Sequence, residues 1–497
     1  MNGSHFLIGF GIYLLLMIAI SYLVSRRQQS NEDFLLAGRN VSARLTFGST
    51  VATMIGTGTS MGAVGFAYNH GWHGMLYGIG GAVGILLTAW LFAPLRQMRF
   101  MTMSEELSYY VGANQWVKQG SAILIFLASL GWLGAHIIGG ALYLSWATGI
   151  ELFYTKLMVG FAYTLYVMIG GYRAVIWTDS LMAVILFSGF LLMSYVAVHA
   201  IGGLDQISPA LAAAKNSGLI SDIGLVPALS LASVVAVGVL ATPSFRQRIY
   251  AARNVSTVRR SFIFSGVLYL VFAALPALIG ITARVLSPEL DNHQFAFTTV
   301  AVMLLPGLLT MLVLLAGLSA TLSSASSDAI AAVSVLIRDL YQGITGSMPT
   351  ADKAILYSRL AVLLVSTLAL ILALLSDDLI RYITGMIATL MSGLFVCALL
   401  GRFWLRFTWQ GALAALLGAM LTSLVVLNHP DWLAYWGNPC LPAVMVALLA
   451  AVSISLLTPP CAISRKQALA LISAQRENTT SVATACSAGN ASQADLT

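Results

Sequence analysis

Thirteen apolar stretches, each long enough to cross the hydrocarbon core of a bilayer, run through this 497-residue chain. They fall near 6–25, 45–68, 74–95, 119–147, 152–171, 175–200, 225–249, 260–283, 297–336, 355–376, 379–401, 408–428 and 436–458. The 297–336 stretch exceeds one span and has room for a short outer helix before the spanning part. In hydrocarbon every backbone polar group must be paired within the chain, so the expectation is an all-α polytopic membrane protein of about 13 transmembrane helices. The composition agrees: 59% of residues are hydrophobic and 9% charged, against about 25% charged in soluble domains. The net charge of +7 therefore says little about nucleic acid. The first apolar run has no positive leader and no small-residue cleavage site, and reads as a retained helix. Cys397, Cys440, Cys461 and Cys486 show neither metal spacing nor a disulfide framework.

Orientation follows from the basic residues. With the N-terminus outside, all but four of the 25 Lys and Arg fall on the inner side, and only Lys156, Lys215, Arg284 and Arg381 remain outside. The C-terminus is then cytoplasmic and the expected location is the cell (inner) membrane. Residues 1–458 are expected to form the membrane domain. Residues 459–497 form a cytoplasmic, mostly disordered tail, because the last twenty, from Asn478, are polar, small and aperiodic.

Two spans carry interruptions. The second reads STVATMIGTGTSMGAVGF, with Gly56, Gly58, Gly62 and Gly65 interleaved with Thr53, Thr57, Thr59 and Ser60. Such glycines serve close helix packing, or they let the helix unwind and offer carbonyl oxygens to a cation. The seventh span is broken by Gly238 and Pro243, since proline cannot donate the helical hydrogen bond. Two interrupted spans five helices apart point to an inverted-repeat transporter with its site at the midplane.

The serine cluster of ATLSSASSDAIAAVSVLIRDLY, residues 320–341, is the third unusual feature. Ala320, Ser323, Ser324 and Ser327 share one helix face, with Ser326 flanking it. Buried hydroxyls in a membrane helix serve either packing or the dehydration of a cation. Asp179, at the inner start of the sixth span, reads as a helix N-terminal residue or as a cation ligand. Asp328 reads as a ligand, a gate residue or a solvated residue of an inner vestibule. His136 reads as a hydrogen-bonded structural residue, a substrate contact or a proton relay. No P-loop, HExxH or nucleophile elbow in a plausible site occurs, so neither ATP nor an enzymatic reaction is expected.

DFLLAGR at 33–39, GGYRAVIWTD at 170–179, FRQRIYAARN at 245–254 and the serine-rich run ending in DLY together resemble the sodium:solute symporter family. That family includes sodium–proline, sodium–glucose, pantothenate, choline and sialic acid symporters. The resemblance covers roughly residues 6–458 and implies a LeuT-like fold of two inverted five-helix repeats, about 45–200 and 225–401, with broken first and sixth core helices. It implies a sodium site made by the carbonyls of Ala52, Ile55 and Ala320 with the hydroxyls of Ser323 and Ser324. It also implies a second sodium between Asp179, Ser323, Ser326 and Ser327. For the solute it points to Thr57, Thr59 and Ser60 on the first broken helix, Val235 and Val239 on the second, and Trp132 and His136 on the fourth span. Met54 stands where proline transporters carry an aspartate, which argues against proline as the solute.

The expected function is a sodium-coupled symporter importing a small organic solute by alternating access. Its partners would be sodium ions, that solute and the lipid bilayer, without nucleic acid or ATP. The rivals are a proton-coupled carrier and, more remotely, a transporter-like solute sensor, for whose output domain the residues after Thr458 are few.

Overall fold

The computed structural model describes residues 3–26, 31–209, 223–349, 353–376 and 379–476. The polar tail from Asn478, with Cys486, and Lys215 lie outside the described residues. Those described are all-helical, with no strand beyond an isolated bridge between Val41 and Ala252.

Ten of these helices are long and apolar enough to cross a membrane, or up to eleven if the bent pair Leu225–Ala241 and Pro243–Ala251 is one span. The expected number was about thirteen. The difference has a physical origin. The fifth and sixth expected spans run as one helical stretch, Leu152–Ala200, interrupted at Gly171 alone, with φ 53° and ψ −162°. A Cβ there would lie 2.8 Å from the Phe34 ring, so the position demands glycine twice over, by sterics and by φ. Likewise Gly58–Leu91 passes as one apolar stretch although the chain turns at Gly71, φ 58°.

Both expected interruptions are present. Ala43–Met54 ends at Ile55, whose φ of −88° and ψ of 60° leave the helix, and a π-helical turn at Gly58–Gly62 leads into Ala63–His70. Leu225–Ala241 and Pro243–Ala251 meet at Thr242 with a 42° bend. Proline starts the second piece, where its missing N–H costs nothing. The long 297–336 stretch resolves into Ala296–Leu304 and, after Pro306, the helix Gly307–Val335.

That last helix is the axis of the molecule. Every residue from Val313 to Val335 is buried. A helix buried all round needs small or apolar residues on every face, which explains its Ala and Ser content. It packs against Leu152–Ala200, Gln115–Thr148 and Ala43–Met54. By contrast Gly3–Ser25 and Cys440–Leu457 bury less than a third of their residues and present apolar side chains outward, as lipid-facing helices do.

The described part of the tail is not formless. Residues 465–476 are helical, with Ala468 and Ile472 buried four residues apart on one face. Arg465 donates to the carbonyls of Gly401 (2.5 Å) and Arg402 (3.3 Å). Arg476 donates to Glu105 (2.6 Å) and to the Arg99 carbonyl (2.9 Å). One short apolar stripe and two arginines suffice to dock it, a signal that the polarity of the whole tail hides.

Candidate functional site: a broken helix facing the serine cluster

The serine helix lies against the point where the first broken helix unwinds. Ser323 Oγ donates to the Ala52 carbonyl (3.0 Å) and Ser324 Oγ to the Thr53 carbonyl (3.1 Å). Both hydroxyls also reach the Ala320 carbonyl, at 3.3 Å each. Ala52, Ile55, Ala320, Ser323 and Ser324 are all at most 1% exposed. Carbonyl and hydroxyl oxygens thus share one dry shell, the donor set a hard alkali cation takes. The Ile55 residue lies at the unwinding turn itself. The approach is close: a Cβ on Gly56 would lie 2.8 Å from Ser324 Oγ. The carbonyl freed at Met54 accepts from Thr59 Oγ1 (3.0 Å), which stabilises the unwound stretch without closing it.

The expected second set does not converge as a foursome. Ser327 Oγ is 3.1 Å from Asp179 Oδ2, and Ser49 Oγ donates to the same oxygen at 2.7 Å. Ser323, however, is turned to Ala52, and Ser326 Oγ donates to the Ser323 carbonyl at 2.9 Å. Between Asp179 and Ser327 sits a guanidinium. Arg248 Nη2 lies 3.1 Å from Asp179 Oδ2, 2.7 Å from Ser327 Oγ, 2.8 Å from Ser49 Oγ and 2.5 Å from Thr53 Oγ1. Asp179 is not a helix cap, because it lies inside Leu152–Ala200, eight residues beyond the break at Gly171.

Arg248 belongs to a run that pins Pro243–Ala251, the second piece of that broken helix. Arg246 Nε pairs with Glu106 (3.1 Å), Gln247 donates to the Leu35 carbonyl (2.7 Å) and Ser334 (3.0 Å), and Arg248 holds Asp179. Glu106 sits on the short helix Met103–Tyr110 and also accepts from Tyr110 (3.2 Å) and Tyr250 (2.5 Å). On the same short helix, burial pushes the Glu105 carboxyl up, but the charges of Arg476, Arg338 and Lys118 outweigh it and hold it below its usual value.

A cavity opens above this layer. Of the residues named for the solute, Thr59, Trp132, His136, Val235 and Val239 line it. Thr57 and Ser60 do not: Thr57 Oγ1 stands behind the wall, 2.9 Å from His136 Nδ1, and Ser60 Oγ donates to the Thr57 carbonyl (3.3 Å). The wall also carries Tyr77, Tyr269, Phe245, Thr242, Ser244 and Asp328, which sequence reasoning had not placed there. Asp328 is 3% exposed, so it is no solvated vestibule residue, and its Oδ2 lies 3.1 Å from His136 Nε2. Its position four residues after Ser324 was the available signal, since that spacing returns to the same helix face. Tyr77 and Tyr269 had none, because periodicity does not say which helix faces which.

The sequence pattern of the sodium:solute symporter family matches residues 34–419. The chain belongs to the sodium:solute symporter family. This symporter is 25% identical over 461 residues to the sodium/pantothenate symporter of Escherichia coli (strain K12), covering 88% of this chain and 93% of that one. It is 22% identical over 471 residues to the sodium/pantothenate symporter of Haemophilus influenzae (strain ATCC 51907 / DSM 11121 / KW20 / Rd), covering 88% and 95%. Among solved structures it is similar to the substrate-bound outward-open state of a Na+-coupled sialic acid symporter, with TM-score 0.80, 19% identity and coverage of 91% and 97%. MhsT in complex with L-phenylalanine gives 0.57, at 12% identity and 82% and 98% coverage. These likenesses give the fold, that of LeuT-type transporters. The relatives are transporters rather than enzymes, and the chain is a multi-pass membrane protein.

Proposed function

We propose that this symporter imports a small organic solute, driven by sodium that binds between the unwound stretch and the serine helix. The carbonyls of Ala52, Ile55 and Ala320 and the hydroxyls of Ser323 and Ser324 are its ligands. The observation that carries the reading is the pair of contacts from Ser323 to Ala52 and from Ser324 to Thr53, made where the helix loses its own hydrogen bonds. Sodium there bridges the two elements and orders the solute cavity beside them. By linkage, sodium and solute tighten each other's binding by the same factor.

Asp179 and Ser327 are proposed as a second, inner sodium position, for which the ion competes with Arg248. Each ion moved inward across about 100 mV contributes roughly 2.3 kcal/mol. The proposed count of about thirteen spans splits Leu152–Ala200 at Gly171 and Gly58–Leu91 at Gly71 and takes the bent pair as one span. The proposed arrangement is two inverted repeats, about 45–200 and 225–401, in the inner membrane with the N-terminus outside and the C-terminus cytoplasmic.

A proton-coupled carrier is the second reading, favoured by the buried Asp328–His136 pair. Proteoliposomes separate the two. Uptake driven by an inward sodium gradient at equal pH supports sodium coupling, and uptake driven by a pH gradient in sodium-free buffer replaces it with the proton.

A further inference from the structure

The solute cavity holds one carboxylate and no fixed cation. Among its described lining residues there is no Lys or Arg, and the only titratable partner of Asp328 is His136. Asp328 uses one oxygen on His136; its other, Oδ1, is buried and has no partner. The nearby guanidinium of Arg248 is already matched by Asp179. The sodium ligand Ser324 lines the same cavity one helical turn before Asp328, but its hydroxyl is directed to the Thr53 and Ala320 carbonyls rather than to the carboxylate.

A buried carboxylate oxygen without a partner carries a desolvation cost of several kcal/mol that a ligand can remove. An incoming carboxylate would add a like charge beside it. An ammonium group would offset the charge and donate to Oδ1. The remaining wall suits such a group: Trp132, Tyr77, Tyr269 and Phe245 all line the same cavity, and aromatic faces attract organic cations. His136 is oriented for this arrangement. Its Nδ1 is held by Thr57, its ring stacks on Trp132 at 14°, and its Nε2 faces Asp328. Both ring nitrogens of His136 are thus engaged, which fixes the ring beside Asp328 Oδ2 and leaves Oδ1 for a ligand.

We propose that the solute of this symporter bears a protonated amine, which pairs with Asp328 Oδ1 against the aromatic wall. The inference rests on the transporter reading of the cavity and adds the chemical class of its cargo. Asp328 is the specificity-determining residue, and His136 is a positioning residue that acts through it.

The test uses the full-length protein in detergent with sodium present. Its probes are simple amines, amino acids, carboxylate anions including pantothenate, and neutral polyols, read by thermal stabilisation and by uptake into proteoliposomes. Amine-bearing probes stabilise the protein and are taken up, and anions and polyols do not. For an amino acid that binds, the N-acetyl derivative loses binding and the methyl ester keeps it. Asp328→Asn weakens the amine at least about 30-fold, the lower range for losing one partner of a buried charge pair. His136→Gln weakens it less and shifts the pH profile of uptake. Binding of a pantothenate or polyol probe alone, or unchanged amine affinity in Asp328→Asn, overturns the proposal. Radiolabelled sodium binding without solute keeps the two readings apart. If Asp328→Asn retains it, the variant is folded and the sodium site stands whatever the amine result. If the variant does not fold, the paired derivatives on the wild-type protein decide.

Discussion

Arg248 Nη2 lies 3.1 Å from Asp179 Oδ2, and both side chains are buried to within 1% of complete exclusion from solvent. The pair joins Ala43–Met54 and Pro243–Ala251, one piece of each broken helix, to Leu152–Ala200 and, through Ser327, to the serine helix. Any motion that separates these elements must break it.

Removing one partner strands the other charge. Arg248→Gln is expected to destabilise the protein by about 3–5 kcal/mol, the usual cost of an unpaired buried charge. The double variant Arg248→Gln with Asp179→Asn recovers most of that loss. Thermal melts of the single and double variants in the same detergent check it, and strictly additive losses would refute the pairing.

Asp179→Asn alone addresses the ion count. If sodium visits this position during the cycle, the variant moves fewer sodium ions per solute. The reversal potential of uptake in proteoliposomes reads that number, and an unchanged value rules out the inner position.

The unwound stretch is held at a fixed distance from the 115–148 helix by glycine. A Cβ on Gly139 would fall 1.9 Å from Thr57 Cγ2 and 2.9 Å from Thr57 Cβ. Since Thr57 also holds His136, Gly139→Ala is expected to displace both and to cut solute uptake about tenfold or more. The helix itself gains propensity from the change. Uptake measured against surface expression checks the expectation.

Docking of the 465–476 helix depends on the Glu105 charge. Its carboxyl titrates below the usual 4.5 in the folded protein because Arg476, Arg338 and Lys118 outweigh the effect of burial. A carboxylate depressed by folding contributes stability that is present above the unfolded value and lost as pH falls through the folded one. The melting temperature of the wild type is therefore expected to fall more steeply below about pH 4.5 than that of Glu105→Gln. Parallel pH–melting curves for the two proteins would contradict this.

Much of this organisation is written plainly in the chain. IGTGTS and Pro243 mark the two breaks, and the hydroxyls of Ser323 and Ser324 meet the first of them. What stayed hidden was burial. Arg246 and Arg248 entered the inner-side charge pattern as if they were loop cations, yet they are 0% and 2% exposed. Positive charge near the inner face looks the same in sequence whether it meets water or a buried carboxylate. Asp179 and Asp328 were ambiguous for the same reason. Each partner, Arg248 and His136, comes from another helix, and pairing across helices leaves no periodic trace. The fifth and sixth spans joined because a single left-handed glycine, Gly171, turns the chain without ending the helical pattern.

The most direct measurement is the sodium dependence of solute uptake in Ser323→Ala and Ser324→Ala proteoliposomes, beside the wild type. Each substitution removes a hydroxyl from the shell shared with Ala52 and Thr53. The half-saturating sodium concentration is predicted to rise about tenfold or more, equivalent to at least about 1.4 kcal/mol of ion binding. Half-saturation at the wild-type sodium concentration in both variants would contradict the account.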